Sequence, residues 1–388
     1  MKQEIESEVL AEMARARETA PEPGPAAVPG EVYADAALAG RERERVFRRS
    51  WVPVVREEEI ESPGDFCSLE LGGIPLVALR TESGAATVLH NVCRHRGAQI
   101  VRTPKGHAKH LRCAYHGFTY DLEGKLVGQP HGETFCAEAQ VGRLALPSVQ
   151  TSSFGGWLWA CMDPGAASLV PSLGEDLIDE LANWPLDRCR LVDSRETLEA
   201  FDWKIGVEAF LEPFHVPTIH PRTAHPLVDM RGMATRDFGD HSRMALPFRS
   251  PDAYGPSGIF GSAADAAGVP VFAGLNQAQR QAHFVYLIFP ATIWMLLPNH
   301  LLALRFLPAG PGQCRLRYEL LAEPPQSAQA EQWLSALRPG YDALLEEDME
   351  NLPWIQKGMA SGSLEAMPLS GYERRMVSFR HALQRHLA

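Results

Sequence analysis

The chain has 388 residues, 45% of them hydrophobic and 22% charged, with a net charge of −11. That length allows a buried core and about two domains, and the acidic balance argues against general nucleic-acid binding. Seven cysteines, odd in number and widely scattered, fit free thiols and metal ligands in a reducing, cytoplasmic setting better than a disulfide framework.

The N-terminal stretch MKQEIESEVLAEMARARETA is charged and helix-prone and lacks the apolar run of a secretory signal. It reads as a helix over 1–20, followed by the linker PEPGPAAVPG and a short helix over 35–49. From Trp51 to about Pro164 the pattern changes to short β-type runs (WVPVV, IPLVAL, TVLHNV) between Gly and charged turns. This predicts a small all-β module, with GGWLWACMDP as its closing strand and exit turn.

Beyond Pro164 helical and strand signals mix, which predicts an α+β domain. IDELANWPL and LEAFDWKIGVEAFLEPFHVPTIH read as helical, and 250–274, rich in Gly, Ala, Pro and Ser, reads as a surface loop or lid. HFVYLIFPATIWMLLPNHLLALRF is broken by Pro290 and Pro298 and carries His300 and Arg305. A membrane helix needs about 20 mostly apolar residues without such breaks, so this stretch reads as buried strands joined by turns. HLLALRFLPAGPGQCRLRYELLAE reads as two strands around a Pro/Gly turn, and SAQAEQWLSALRPGYDALLEEDMENLPWIQKGM as helices broken at Pro339. No internal repeat is present.

Within NVCRHRGAQIVRTPKGHAKHLRCAYHG, residues 91–117, Cys93 and His95 are separated by seventeen residues from Cys113 and His116. Buried cysteines and satisfied histidines would be one account. A structural zinc site is another, although zinc modules commonly pair two Cys and then two His. A third is a Rieske-type [2Fe–2S] cluster, in which two His replace two Cys on one iron and each loop supplies one of each. Arg94, Arg96, Arg102, Lys105, Lys109 and Arg112 lie between the cysteines with no Asp or Glu. Arg94, Arg96, Lys105 and Lys109 are candidates for docking an acidic electron donor, since such complementarity mainly raises encounter rates. Pairing with acidic groups across a subunit contact is the competing account.

CRHRGAQ and CAYHGFTYDLEGKL resemble the two cluster-binding loops of Rieske non-haem iron (ring-hydroxylating) oxygenases, and the resemblance runs from about Val32 to Gly358. It implies the α, catalytic subunit. The expected organisation is a small all-β Rieske domain over 48–164 and a catalytic domain over 165–388. In the latter a large antiparallel sheet wraps around helices (helix-grip, START/Bet v 1-like), and a helical segment, 1–47, packs on it. It also implies Cys93 and Cys113 on the inner iron and His95 and His116 on the outer one, with a potential raised relative to all-cysteine clusters.

A second constellation follows in EAFLEPFHVPTIHP, with Glu208, Glu212, His215 and His220. His215 and His220 are slightly more than one helical turn of about 3.6 residues apart, so Pro217 is expected to loosen the helix and let both rings converge. Two His and one carboxylate form the facial triad of non-haem Fe(II) oxygenases; an ordinary helix face with packing histidines is the alternative. The carboxylate is sought in EEDMENLPWIQKG, where Glu346, Glu347, Asp348 and Glu350 compete. The resemblance selects Asp348, with Gln and Gly following at the family's spacing. It also gives Glu212 the role of a bridge between a neighbouring subunit's Rieske histidine and an iron ligand; a solvated helical Glu is the alternative. Two departures touch no ligand: Ala209 stands where relatives carry Asn, and Asp202–Lys204 reads DWK rather than NWK. His225, His241, His283 and His300 read as packing or surface residues.

The resemblance further implies a terminal oxygenase with one [2Fe–2S] cluster and one mononuclear Fe(II) per chain, using O2 to hydroxylate an organic, aromatic substrate. Oxidative N- or O-demethylation of a betaine-like or methoxy compound is the alternative. The chain lacks a G-x-G-x-x-G strand-to-helix fingerprint, so NAD(P)H acts through a separate flavin-containing reductase or ferredoxin. A homotrimer is expected, with a β subunit compatible. The substrate pocket is expected from Val207, Phe210, Leu211, Phe214, Leu227, Ile293, Met295 and the 250–274 loop; aromatic side chains there would also attract a quaternary ammonium group. Two readings outside this class are a Rieske electron-transfer or redox-sensing protein and a zinc-stabilised binding module.

Overall fold

The computed structural model describes residues 2–19, 21–22, 24, 28–29, 31–249 and 271–388, so the expected lid at 250–274 lies outside the described residues except for its last four positions. Two compact units are present: residues 43–172, and residues 1–42 together with 173–388. The two N-terminal helices, α1 (Lys2–Glu18) and α2 (Ala36–Glu42), belong to the second of these. Val9 and Met13, four residues apart on one face of α1, are buried. Glu12 Oε1 on that helix accepts a hydrogen bond from the Thr235 N–H at 2.8 Å.

The 43–172 unit is all-β. Its strands are β1 (Val52–Arg56), β2 (Asp65–Leu71), β3 (Ile74–Arg80), β4 (Ala86–His90), β5 (Lys105–His107), β6 (Leu111–Arg112), β7 (Thr119–Tyr120), β8 (Leu126–Gly128), β9 (Gln150–Phe154) and β10 (Trp157–Cys161). They form three antiparallel sheets ordered β9-β10-β1, β4-β3-β2-β5 and β6-β7-β8. One apolar cluster, including Val77, Leu79, Leu89, Phe118, Tyr120 and Leu126, also buries Cys93 and Cys113.

The other unit is built on a seven-stranded antiparallel sheet. Its strands are β11 (Arg190–Glu199), β12 (Ala234–Phe238), β13 (His241–Pro247), β14 (Ala282–Ile288), β15 (Thr292–Leu297), β16 (His300–Gly310) and β17 (Gln313–Ala322), in the order β11-β17-β16-β15-β14-β13-β12. Every residue of β13, β14 and β15 is buried. With both faces covered, no polar alternation is needed, which is why β14 and β15 read as parts of one long apolar run. Among the described residues no helix is long and apolar enough to cross a membrane.

Five further helices carry or support the site: α3 (Trp203–Ala209), α4 (Val216–Ile219), α5 (Ala328–Met349), α6 (Leu352–Ala360) and α7 (Arg374–Leu387). Two sequence expectations are corrected here. The stretch from Leu198 to His220 is not one helical run: Leu198 and Glu199 end β11, Asp202 caps α3 by accepting from the Lys204 N–H at 3.0 Å, and α3 stops before Pro213. Nor does Pro339 break its helix, since α5 runs through it to Met349. Proline forfeits one hydrogen bond in a helix interior. The buried stripe Trp333, Leu334, Leu337, Tyr341, Leu344 and Leu345 outweighs that loss. The break comes instead at 350–351, and Pro353 sits in the first turn of α6, where its missing N–H costs nothing.

Candidate metal centres and substrate cavity

In the all-β unit two loops repeat one backbone motif. The Cys93 N–H donates to the Ala98 carbonyl at 2.9 Å and the Gly97 N–H to the Cys93 carbonyl at 3.0 Å; Cys113, Phe118 and Gly117 repeat the pair at 2.8 and 3.0 Å. Each turn closes through a left-handed residue, Gly97 at φ 73° and Gly117 at φ 74°, which glycine adopts without strain. The loops therefore bury both thiols and leave His95 half-buried and His116 exposed at the rim. Their Nδ1 atoms stand 3.1 Å apart. Two lone pairs facing each other at that distance repel unless a proton or a metal lies between them. Nitrogens each about 2.1 Å from one metal are separated by roughly 3 Å, so the pair fits two ligands of a single iron. The His95 pKa is lowered, by desolvation first and then by His116 and Arg96, which keeps the ring neutral and able to ligate.

Two supports around these loops had no motif to announce them. The Asn91 amide donates to the Val101 carbonyl at 2.7 Å, while its oxygen accepts the N–H groups of Ile100 and Val101. The Tyr120 hydroxyl accepts from the Arg94 N–H at 3.0 Å and lies 3.4 Å from the Cys93 sulfur. The basic residues Arg94, Arg96, Arg102, Lys105, Lys109 and Arg112 are all exposed. Lys105 Nζ is 3.1 Å from Glu59 Oε1, and Arg96 lies over the Tyr115 ring at 5.5 Å.

In the other unit His215, His220 and Asp348 bring one ligand atom each within 4.8 Å of one another. Helix α4 sets the two rings: His215 is its N-cap and His220 its C-cap, so a single turn separates ring centroids by 5.2 Å at 74°. Pro217 sits in the first turn of α4, where it is tolerated, and does not loosen a longer helix as expected. Both histidines turn Nδ1 outward to a carboxylate: His215 to Glu212 Oε1 at 2.5 Å and His220 to Glu347 Oε2 at 2.8 Å. Each Nε2 then faces Asp348 Oδ1, at 3.7 Å from His215 and 3.0 Å from His220. Carboxylates on the outer ring nitrogens hold metal-binding imidazoles in the required tautomer. Two Nε2 lone pairs and one carboxylate beside a cavity suit a divalent metal with open positions. Desolvation lowers the His215 and His220 pKa values, but the Glu212, Glu347 and Asp348 carboxylates outweigh it and raise both.

The competing carboxylates separate clearly. Asp348 is buried, Glu347 is half-buried and also accepts from the Thr223 hydroxyl at 2.6 Å, and Glu346 and Glu350 are exposed. Glu212 is not a solvated helical residue: its side chain is 11% exposed and accepts the Phe214 and His215 N–H groups as well as the His215 ring. Arg375, fully buried on α7, donates to Ser242 and to the Phe210 and Leu211 carbonyls that end α3, tying the C-terminal helix to the segment before Glu212.

A cavity opens beside the triad, with about 610 Å³ of non-atom space that includes a part open to solvent. Of the residues expected to line it, Phe210 and Met295 do. Val207, Leu211, Leu227 and Ile293 are buried but are not part of its wall, and Phe214 is 56% exposed, stacked with Tyr372. Ile293 shares a strand face with Met295 but lies one pleat beyond the cavity. The wall comes instead from Ala209, Val216, Ala224, Val228, Met244, Phe248 and Val285. His241 accepts from the Phe289 N–H at 3.0 Å, His225 meets Arg249 at 3.1 Å, and His300 lies between Asn299 and Tyr341. His283, in contrast, lines the cavity.

Residues 50–148 match the family model described as the Rieske [2Fe-2S] domain, and residues 186–388 match the ring hydroxylating alpha subunit (catalytic domain). The chain is 32% identical over 203 residues to the N,N-dimethyl phenylurea N-demethylase subunit alpha of Sphingobium sp. (strain YBL2), covering 50% of this chain and 43% of that protein. The chain thus spans less than half of that relative's length. Against the anthranilate 1,2-dioxygenase large subunit of Burkholderia cepacia it is 27% identical over 366 residues, covering 85% of this chain and 83% of the other. The solved quaternary ammonium Rieske monooxygenase CntA, in complex with L-carnitine, shares the fold with a TM-score of 0.76 at 18% identity, over 93% of this chain and 96% of that one.

Proposed function

Because the chain belongs to the Rieske ring-hydroxylating oxygenase alpha-subunit family, we propose that it is the terminal component of an O2-dependent oxygenase acting on a small organic substrate. The observation that carries this is the convergence of His215, His220 and Asp348 on one side of an apolar cavity, in a chain that also holds a Rieske [2Fe–2S] domain. Bound iron supplies O2 activation at the triad and electron storage at the cluster. The chain's own residues do the remainder. Cys93, Cys113, His95 and His116 hold the cluster; Glu212 and Glu347 fix the ring tautomers of His215 and His220; the apolar wall binds the substrate and excludes water.

Electrons come from NAD(P)H through a separate ferredoxin or flavin-containing reductase, with Arg94, Arg96 and Lys109 as the docking residues; Lys105 contributes less because Glu59 already pairs with it. We assign a cytoplasmic homotrimer, to which a β subunit can be added. In it Glu212 bridges one subunit's iron ligand to a neighbour's cluster histidine. Aromatic hydroxylation is the favoured outcome, on the apolar wall. The demethylase among the relatives supports a second reading, hydroxylation of an N- or O-methyl group with loss of formaldehyde.

Metal and sulfide analysis, coupled to oxygen uptake with a surrogate reductase and a product screen of arenes, aryl acids and methylated amines, tests this. About three iron atoms and two sulfides per chain, with substrate-dependent oxygen consumption, are expected. Zinc without sulfide, or a cluster with no second iron site, would sink the proposal.

A further inference from the structure

One stretch of the cavity wall has little regular structure of its own. From Pro221 to Met233 the chain forms neither a strand nor an α-helix, only turns, one bridge and the single 3-10 turn Met230–Gly232. It starts directly after the triad residue His220, whose carbonyl accepts from the His225 N–H at 3.0 Å, and it carries the wall residues Ala224 and Val228. Val228 bridges to Phe248, another wall residue. On either side of that bridge the Asp229 N–H donates to the Pro247 carbonyl and the Arg249 N–H to the Leu227 carbonyl, each at 2.8 Å. A stretch held by so few hydrogen bonds opens more readily than a strand or helix.

The N-terminal helix α1 supplies ties that this stretch lacks within itself. Arg17 Nε lies 3.2 Å from Asp229 Oδ2, and Asp229 Oδ1 accepts from the Arg231 N–H at 3.2 Å, so the grip extends into the 3-10 turn. Arg17 also packs over Gly232, where a Cβ would stand 3.1 Å from its Nε. Five residues earlier, Glu12 Oε1 accepts from the Thr235 N–H at 2.8 Å. Thr235 lies on β12, at the end of the sheet, opposite the wall residue Met244 on β13. Glu6 Oε1 accepts from the Gln277 N–H at 2.7 Å, at the start of the short helix Gln277–Gln281, whose last carbonyl accepts from the Phe248 N–H at 2.9 Å. The buried Val9 and Met13 seat α1 among these polar contacts. The helix thus grips the neighbours of Val228, Met244 and Phe248, while Glu6, Glu12 and Arg17 are not among the described lining residues.

We propose that α1 is a strap that fixes the cavity wall from outside, and that Glu12 and Arg17 are positioning residues that set how a substrate is oriented without touching it. The orientation step rests on the oxygenase reading above; the mechanical tie stands on the contacts alone. A wall held at the Val228–Phe248 bridge and behind Met244 keeps its apolar side chains in one arrangement, which presents one part of the substrate to the triad. Releasing the ties lets the same side chains occupy several arrangements, so binding weakens and oxidation spreads over more positions.

The test compares the full-length holoenzyme with Glu12→Ala, Arg17→Ala and the double variant. Hydrogen–deuterium exchange is measured without ligand, and turnover with a surrogate reductase and three probes: naphthalene, benzoate and N,N-dimethylaniline. Exchange in peptides covering 224–236 should speed up about tenfold in each single variant, the effect of losing one hydrogen bond. Exchange over 190–199 and the iron content should stay as in the parent chain. For the probe oxidised fastest, KM should rise by more than kcat falls, and the product distribution should broaden. Glu12→Gln, which keeps an acceptor oxygen, and Arg17→Lys, which keeps the charge, should restore much of the parent behaviour. Unchanged exchange would overturn the strap, as would acceleration spread evenly over the catalytic unit, which marks a general loss of stability. Faster local exchange with an unaltered KM and product distribution would overturn the positioning role. The single variants decide if the double variant fails to fold. A parent chain that consumes oxygen with none of the three probes strikes the oxygenase reading and leaves the strap to be decided by exchange alone.

Discussion

At the residue scale, the candidate third ligand, Asp348, shows how a choice among adjacent carboxylates is made. Tyr341, Leu344, Leu345 and Asp348 follow helical spacing and are all buried, whereas Glu346 and Glu350 are exposed. That spacing is present in the sequence, but it favours Asp348 only once α5 is seen to pack by that face. Asp348→Ala should lower the iron content from about three to about two atoms per chain while leaving the cluster's visible absorption unchanged. Glu347 was legible only as a competitor for that role; its contact with His220 depends on a pairing across 127 residues. Glu347→Gln should weaken iron retention on the order of ten- to a hundredfold, measured by chelator competition. In the other centre, Tyr120→Phe removes the hydroxyl next to the Cys93 sulfur. Loss of a hydrogen bond that stabilises the reduced, more negative cluster should lower its reduction potential in voltammetry.

At the element scale, β14 and β15 were readable because they are almost entirely apolar, but helix limits were set by contacts that no local pattern carries. Proline was a misleading stop signal in α5, where packing dominates, and a stop signal is met after α3, where the chain must turn to present His215. Helix α7 shows how tertiary pairing fixes an element. Arg385 and His386 near its end meet Asp240, at 2.6 and 2.7 Å, in the turn between β12 and β13. The His386 hydrogen bond, with Arg385, holds the Asp240 pKa at about 2. A carboxylate with a depressed folded pKa stabilises the native state above its unfolded value and loses that contribution as pH falls through the folded one. Asp240→Asn should therefore lower the urea midpoint at pH 7 by an amount equivalent to about 2 kcal/mol at most. The difference from the parent chain should shrink between about pH 4 and pH 2. Arg375→Ala would leave the carbonyls at the end of α3 without their buried donor. It should cost about 3 kcal/mol in the same assay.

At the scale of the whole molecule, the 43–172 unit contains all four candidate cluster residues and its own apolar core. Expressed alone it should fold and hold a cluster with the same visible spectrum as the full chain. Its basic loop is a local reversal within a chain of net charge −11. Arg94→Glu together with Lys109→Glu should slow reduction of the cluster by an acidic donor and flatten the dependence of that rate on salt. Salt-independent reduction in the parent chain would remove the docking assignment. The sequence by itself located the candidate cluster site, because both Cys/His pairs are local loops whose geometry is written into adjacent residues and their glycines. It also identified the two histidines of the second centre, which flank one turn of helix. Only the tertiary structure decided which carboxylates hold those rings, which residues wall the cavity, and that His283 stands among them. The contact of Glu347 with His220 spans 127 residues of chain, and no local periodicity records a meeting made by packing.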